Sequence, residues 1–204
     1  MNTFLSKLSP SITDMIRMDH AHVMTAFHQY EAGSSPRVKK GLVDSVSVAL
    51  EIHAQLEEEI FYPALRAVED TDFMKKSVPE HDEMRRLIGQ LRKLEPGDAK
   101  YDETFYELMN HVIHHVADEE TLLLPAAERV LADQLGELGA RMTKRRLQLA
   151  APRTGEIAGG MARAMGPGAL VAGAGALLAC GYLLARPRGD RAAWVRRGQK
   201  TAQR

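Results

Sequence analysis

The sequence predicts an all-α protein, an up-down-up-down four-helix bundle with a C-terminal apolar helix or tail. Three observations predict it. Apolar residues recur at alternating steps of three and four through the first 150 residues, no alternating strand pattern competes, and Gly and Pro cluster at three short breaks: Gly33-Ser34-Ser35-Pro36, around Asp70-Thr71-Asp72, and Glu95-Pro96-Gly97-Asp98. Four segments joined by short connections fold as antiparallel neighbours around one core.

The elements follow in order. The first, roughly 11 to 32, carries the stripe Ile16, His20, Val23, Phe27, Tyr30, and the second, 37 to 69, carries Val46, Leu50, His53, Glu57, Ile60, Ala64. The third, 73 to 94, reads Met74, Val78, His81, Met84, Ile88, Leu91. The fourth, 98 to 149, reads Tyr101, Phe105, Leu108, Val112, His115, Glu119, Leu122, Ala126. It is too long to pack fully on the others. Its last turns, past Gly136 or Gly139, are expected to leave the bundle as a spur rich in Arg141, Lys144, Arg145 and Arg146. The expected boundaries are a bundle over 10–132 with the fourth helix running to about 149, a linker over 150–165, an apolar span over 166–185 and a basic tail over 186–204.

The chain of 204 residues balances 27 basic against 27 acidic side chains, which argues against a nucleic-acid partner. The balance conceals a split. Residues 1–150 hold 18 basic and 25 acidic groups, net −7, and residues 151–204 hold 9 and 2, net +7. The single cysteine, Cys180, excludes a disulfide framework and a thiolate metal site, which fits a reducing compartment. The first 19 residues lack the charged head and apolar run of a secretory signal. All eight histidines lie in the acidic part, so the chemistry is sought there.

The two halves repeat. An acidic residue followed by histidine opens each, Asp19-His20 and Glu80-His81. His53 follows His20 by 33 residues and His115 follows His81 by 34. From there His53, Glu57, Glu58, Pro63, Ala64 run parallel to His115, Glu119, Glu120, Pro125, Ala126, so two helix pairs related by a pseudo-twofold axis are expected. His20, His53, Glu57, His81, His115 and Glu119 all fall on core-facing stripes. Burying six ionisable groups costs several kcal/mol each unless they are paired or bound to metal. H-x-x-x-E sets an imidazole and a carboxylate one turn apart on one face, about 6 Å along the axis. Two such helices and one histidine from each remaining helix supply four nitrogens and two carboxylates, enough for two divalent ions bridged by the glutamates. The alternative is a hydrogen-bonded core network, which six symmetric groups make the weaker reading. Mixed nitrogen and oxygen donors without thiolate suit iron or manganese, with zinc possible.

These residues resemble the hemerythrin family in its bacterial HHE cation-binding branch, over about residues 10 to 132. The segments His53-Ala-Gln-Leu-Glu57-Glu-Glu-Ile-Phe-Tyr-Pro63 and His115-Val-Ala-Asp-Glu119-Glu-Thr-Leu-Leu-Leu-Pro125 carry the likeness. The resemblance implies a di-iron site bridged by Glu57 and Glu119, with terminal histidines His20, His53, His81 and His115. One departure matters: oxygen-carrying hemerythrins place two histidines one turn apart on the third helix, where this chain has Ser77 and Arg85 flanking His81. His111, one turn before His115 and at the stripe's edge, is the nearest candidate for a fifth nitrogen. Fewer nitrogen ligands argue against reversible dioxygen carriage and leave open coordination sites.

His22, His28 and His114 are assigned to outer faces. Glu58 and Glu120, about 100° from the ligands, belong by default to the surface or to the ligands' surroundings. Asp19 and Glu80 fit a ligand-orienting role and a solvated face equally. Tyr62, Tyr101 and Tyr106 are assigned to packing.

The stretch 166–185 has no charge and meets the length of one membrane span, about 30 Å. Arg186, Arg188, Arg191, Arg196, Arg197, Lys200 and Arg204 follow it. The positive-inside rule would keep that tail cytoplasmic and export the bundle, against the missing signal; an interfacial insertion with arginines on anionic headgroups reconciles the two. The expectation is therefore a cytoplasmic di-iron bundle tethered to the cell membrane, binding or sensing dioxygen, nitric oxide or iron and more a binding protein than an enzyme. The rivals are a di-iron enzyme acting on peroxide or superoxide or oxidising ferrous iron, and a metal-independent membrane-tethered adaptor.

Overall fold

The structure, a computed structural model, describes residues 9–68 and 72–165, with the side chains of 72–75 set aside. The chain divides after Ala164, and the architecture below is that of the first unit. The bundle helices are α1 (Ile12–His28), α2 (Pro36–Leu56), α3 (Tyr62–Arg66), α4 (Asp72–Leu91), α5 (Ala99–Asp118) and α6 (Leu124–Val130). Between α2 and α3, and again between α5 and α6, the helix continues through one widened π turn, Glu57–Phe61 and Glu119–Leu123. The four expected bundle segments are thus α1, α2–α3, α4 and α5–α6.

Local chemistry sets the starts. Ser11 caps α1 by accepting from the Asp14 amide at 3.1 Å, and Ser35 caps α2, with Pro36 supplying a first residue that has no amide to satisfy. Asp98 precedes α5, its carboxylate accepting from the Glu95 amide across the turn.

The π turns correct the stripes read from the sequence. Up to Glu57 and Glu119 the stripes hold: Ile16, His20, Val23, Phe27, Val46, Leu50, His53, Phe105, Leu108, Val112 and His115 are all buried. Beyond them Ile60 is still buried as expected, but the pattern then slips by one residue in both halves. Phe61 and Leu65 are fully buried where Ala64 was expected, and Leu123 and Ala127 where Leu122 and Ala126 were, while Leu122 is 50% exposed. The cause is the wider turn: the Tyr62 amide bonds to the Glu57 carbonyl and the Leu124 amide to Glu119, five residues back. Pro63 and Pro125 follow each turn and have no amide to offer the usual partner four residues back.

The interior holds two apolar clusters. One contains Ile12, Ile16, Leu56, Phe61, Leu65, Leu123 and Leu124; the other contains Val23, Phe27, Leu50, Met84, Leu108 and Val112. The buried histidines and glutamates form the polar layer between them.

The expected spur does not leave the bundle. The chain turns at Leu131–Gln134 and returns as α7 (Leu135–Ala150), parallel to α1, with Leu138 and Met142 buried in the first cluster. Gly139 allows the contact, since a Cβ there would lie 2.1 Å from the Pro10 carbonyl oxygen. Arg145 and Arg146, expected on that spur, pair instead with Glu59 and Asp19 of the bundle. The expected linker 150–165 is also ordered: a short 3-10 turn, Ala151–Arg153, leads into α8 (Thr154–Ala164), which runs antiparallel along α2. Arg153 meets Glu51 and Arg163 meets Asp44 at opposite ends of that contact. Among the described residues no helix is long and apolar enough to cross a membrane. The run 166–185 and the basic tail lie outside the described residues.

Candidate metal centre

The six residues expected as ligands come together in the polar layer, each with at most 4% exposure. Their donor atoms form two groups with one shared member: His20, His53, Glu57 and Glu119, and Glu57, His81 and His115. Glu57 Oε2 lies 3.3 Å from Nε2 of both His53 and His81. Glu119 Oε2 lies 3.3 Å from His20 Nε2 and 3.5 Å from His115 Nε2. Each carboxylate therefore stands between a histidine of one half and a histidine of the other. Such separations match the edge between two donors that each lie about 2.1 Å from a common ion.

Hydrogen bonding tests the fit. His20 Nε2, His53 Nε2, Glu57 Oε1 and Glu119 Oε2 are buried and have no hydrogen-bond partner. A buried polar atom left unpaired costs about 1–3 kcal/mol, so four in one layer call for a ligand. The other pair is equally telling. His81 Nε2 and His115 Nε2 face each other at 3.2 Å, while each ring's Nδ1 is 2.9 Å from an outer carboxylate, Glu58 or Glu80. If Nδ1 donates outward, both Nε2 atoms present lone pairs to the same point, an arrangement a cation resolves.

The outer carboxylates form a closed set. Asp19 faces His53 Nδ1 at 3.4 Å and Glu80 faces His115 at 2.9 Å, each within its own half. Glu58 faces His81 at 2.9 Å and Glu120 faces His20 at 3.0 Å, each across the halves. All four histidines thus have Nδ1 on a carboxylate and Nε2 inward. Of these four acids, Asp19 and Glu80 had the orienting role among their sequence readings, and Glu58 and Glu120 had the surface or the ligands' surroundings, of which the structure gives the latter. The signal was present as an acidic neighbour beside each of four ligands. Arg85, the residue flanking His81, holds Glu58 through two bonds of 2.8 Å.

Tyr62 joins the site and is more than packing. It is fully buried, its hydroxyl donates to Glu119 Oε1 at 2.8 Å and lies 3.2 Å from Glu57 Oε2, and its ring stacks on His81. Ser77, buried on α4, hydrogen-bonds to it. Tyr101 packs in the second cluster, and Tyr106 is 41% exposed. His111 is not brought to the six; it is exposed beside Glu83 and Glu107. His22, His28 and His114 are exposed, as expected.

The electrostatics show the same crowding. Burial and the neighbouring Glu119 push the Glu57 carboxyl well up. For Glu119 burial acts upward too, but His115 and His20 outweigh it and hold that carboxyl down. Burial depresses His53 to about 4. In His20 and His115 burial opposes the charge, and Glu119 with the outer carboxylates overcomes it, raising both. A divalent cation would replace this division of protons by a single interaction with all six groups.

The comparisons with known proteins agree. The sequence model of the hemerythrin HHE cation binding domain matches residues 11–151. A protein named DNA nickase from Nostoc sp. (strain PCC 7120) is 28% identical over 131 residues, 64% of this chain and 37% of its own length. The chain thus spans little more than a third of that relative. The uncharacterised protein Rv2633c of Mycobacterium tuberculosis is 32% identical over 124 residues, 58% of this chain and 74% of its own. The crystal structure of an HHE cation binding domain-containing protein from Mycobacterium kansasii, an Rv2633c homolog, superposes with a TM-score of 0.61. It shares 21% identity and covers 76% of this chain and 99% of its own, a likeness of fold.

Proposed function

The chain belongs to the hemerythrin HHE cation-binding family, and from that premise we propose that its polar layer holds two iron ions and binds a small neutral gas, dioxygen or nitric oxide. The observation that carries the reading is the sharing of Glu57 between two donor groups whose inward atoms lack hydrogen-bond partners. In the reading His20, His53, His81 and His115 are terminal ligands, and Glu57 and Glu119 bridge. Iron is favoured over zinc by the absence of thiolate and the number of oxygen donors, with manganese next. A loaded pair would supply redox-active positions at which a small molecule can coordinate.

The rest is the work of the protein. The outer carboxylates fix the histidine tautomers, and Tyr62 points a neutral hydroxyl at the bridging pair. A small cavity of about 10 Å³ adjoins the site, lined by Asp19, His20, His53 and His115 together with Val23, Leu50, Val112 and Val116. That is room for about one water-sized molecule.

Metal analysis of the full chain with an optical spectrum tests the reading. About two irons per chain and a near-ultraviolet charge-transfer absorption that changes on exposure to nitric oxide or air are expected; less than about half a metal per chain after loading would sink it. Membrane association through residues 166–185 is part of the proposal and rests on sequence alone. Fractionation with and without residues 166–204 tests it, and recovery of the full chain away from membranes would refute it.

A further inference from the structure

We propose that Arg146 is a positioning residue for the metal site, tying the docking of α7 through Asp19 to the hold of His53 on its metal. The inference rests on the metal reading above. Every expected ligand comes from the four bundle segments, whereas Arg146 comes from α7, beyond the repeat. Its guanidinium grips Asp19 with both arms, Nη1 to Oδ1 and Nη2 to Oδ2, each at 2.5 Å. Its Nε is buried and has no hydrogen-bond partner, while the side chain as a whole is half-buried. A planar fork of this kind fixes the carboxylate plane as well as its charge.

The gripped carboxylate is the one that faces a ligand. Asp19 Oδ2, which receives Nη2, is also the oxygen 3.4 Å from His53 Nδ1. The other three histidines meet their carboxylates at 2.9–3.0 Å. Where arginine also holds an outer carboxylate, at Glu58, the arginine is Arg85 of α4, inside the bundle. The orientation of His53 is thus tied to a helix that lies outside the bundle repeat and supplies none of the expected ligands.

Reciprocity follows from linkage: if docked α7 improves the metal site, bound metal must strengthen the docking of α7 by the same factor. The adjacent residue provides the comparison. Arg145 also binds a carboxylate through two bonds, Nε and Nη2 to Glu59 at 2.6 and 2.9 Å, from the same helix to the same bundle, and touches no partner of a ligand.

The experiment uses the full chain and cobalt(II), whose visible absorption reports its coordination. Arg146→Ala should weaken cobalt binding about tenfold and shift the absorption, in line with other residues that orient metal ligands. Arg146→Lys should recover part of the loss, and Arg145→Ala should bind as the unaltered chain does. Asp19→Asn should reproduce the loss from the other partner and serves if Arg146→Ala does not fold. Cobalt should slow amide exchange over residues 135–150 in the unaltered chain and in Arg145→Ala, and leave it unchanged in Arg146→Ala. Equal affinities in Arg146→Ala, Asp19→Asn and the unaltered chain would overturn the inference, as would an equal loss in Arg145→Ala. An unaltered chain that takes up no cobalt would instead remove the metal reading on which the inference rests.

Discussion

Tyr62, five residues past Glu57, donates its hydroxyl to Glu119 of the opposite half at 2.8 Å. Burial, with Glu57 and Glu119 beside it, raises the phenol well above its usual value, so it stays a neutral donor across the physiological range. Its repeat partner is Leu124, which makes this contact a break in the twofold symmetry.

Tyr62→Phe keeps the ring and deletes the donor. Metal-free protein should lose about 1–3 kcal/mol in urea unfolding, because Glu119 is left with a buried unpaired oxygen. Metal-loaded protein should lose less, since a cation then satisfies that carboxylate. Equal losses in the two states would contradict the assignment of Glu119 as a ligand.

Glu57→Ala and Glu58→Ala, one residue apart, should behave differently. Glu57 belongs to both donor groups, so its removal should lower metal content toward zero. Glu58 belongs to neither donor group but faces His81 and pairs with Arg85, and its removal should weaken affinity by about 10–100-fold while saturating metal still reaches two per chain. Metal analysis after dialysis against graded chelator separates the two, and identical behaviour would refute the distinction.

Acid titration tests the Asp19 environment. Burial would raise this carboxyl, but hydrogen bonds from His53 and Arg146 outweigh it and lower it from 3.8 to about 2. A carboxyl depressed in the folded state contributes stability above its unfolded value, lost as pH falls through the folded one. Here that is about 2 kcal/mol, present above pH 4 and fading toward pH 2. Metal-free Arg146→Ala should be less stable than the unaltered chain at pH 5, with the gap closing below pH 4. A gap independent of pH would show that Arg146 acts by packing alone.

The last helix offers a change remote from the metal. A Cβ on Gly41 would lie 2.2 Å from the Ala164 amide nitrogen, a backbone atom that cannot yield without moving α8. Gly41→Ala should displace α8 at about 1–3 kcal/mol, exposing residues 151–165 to limited proteolysis while metal content stays unchanged. Unaltered protease resistance would refute the close packing of α2 and α8.

The sequence by itself determined the bundle and its six inward donors, because both are written in spacing. A histidine and a glutamate four residues apart share a helix face whatever surrounds them, and their repetition on apolar stripes sets a burial cost that few arrangements relieve. Only tertiary structure decided the rest. In an α-helix, five residues turn 500°, which carries Tyr62 away from the face of Glu57; the widened turn before Pro63 brings it back. The arginines of α7 are assigned by sequence to a spur because nothing local identifies Asp19 and Glu59 as their partners. Their pairing depends on the return at Leu131–Gln134 and on the absence of a side chain at Gly139, which lets the helix reach the Pro10 backbone.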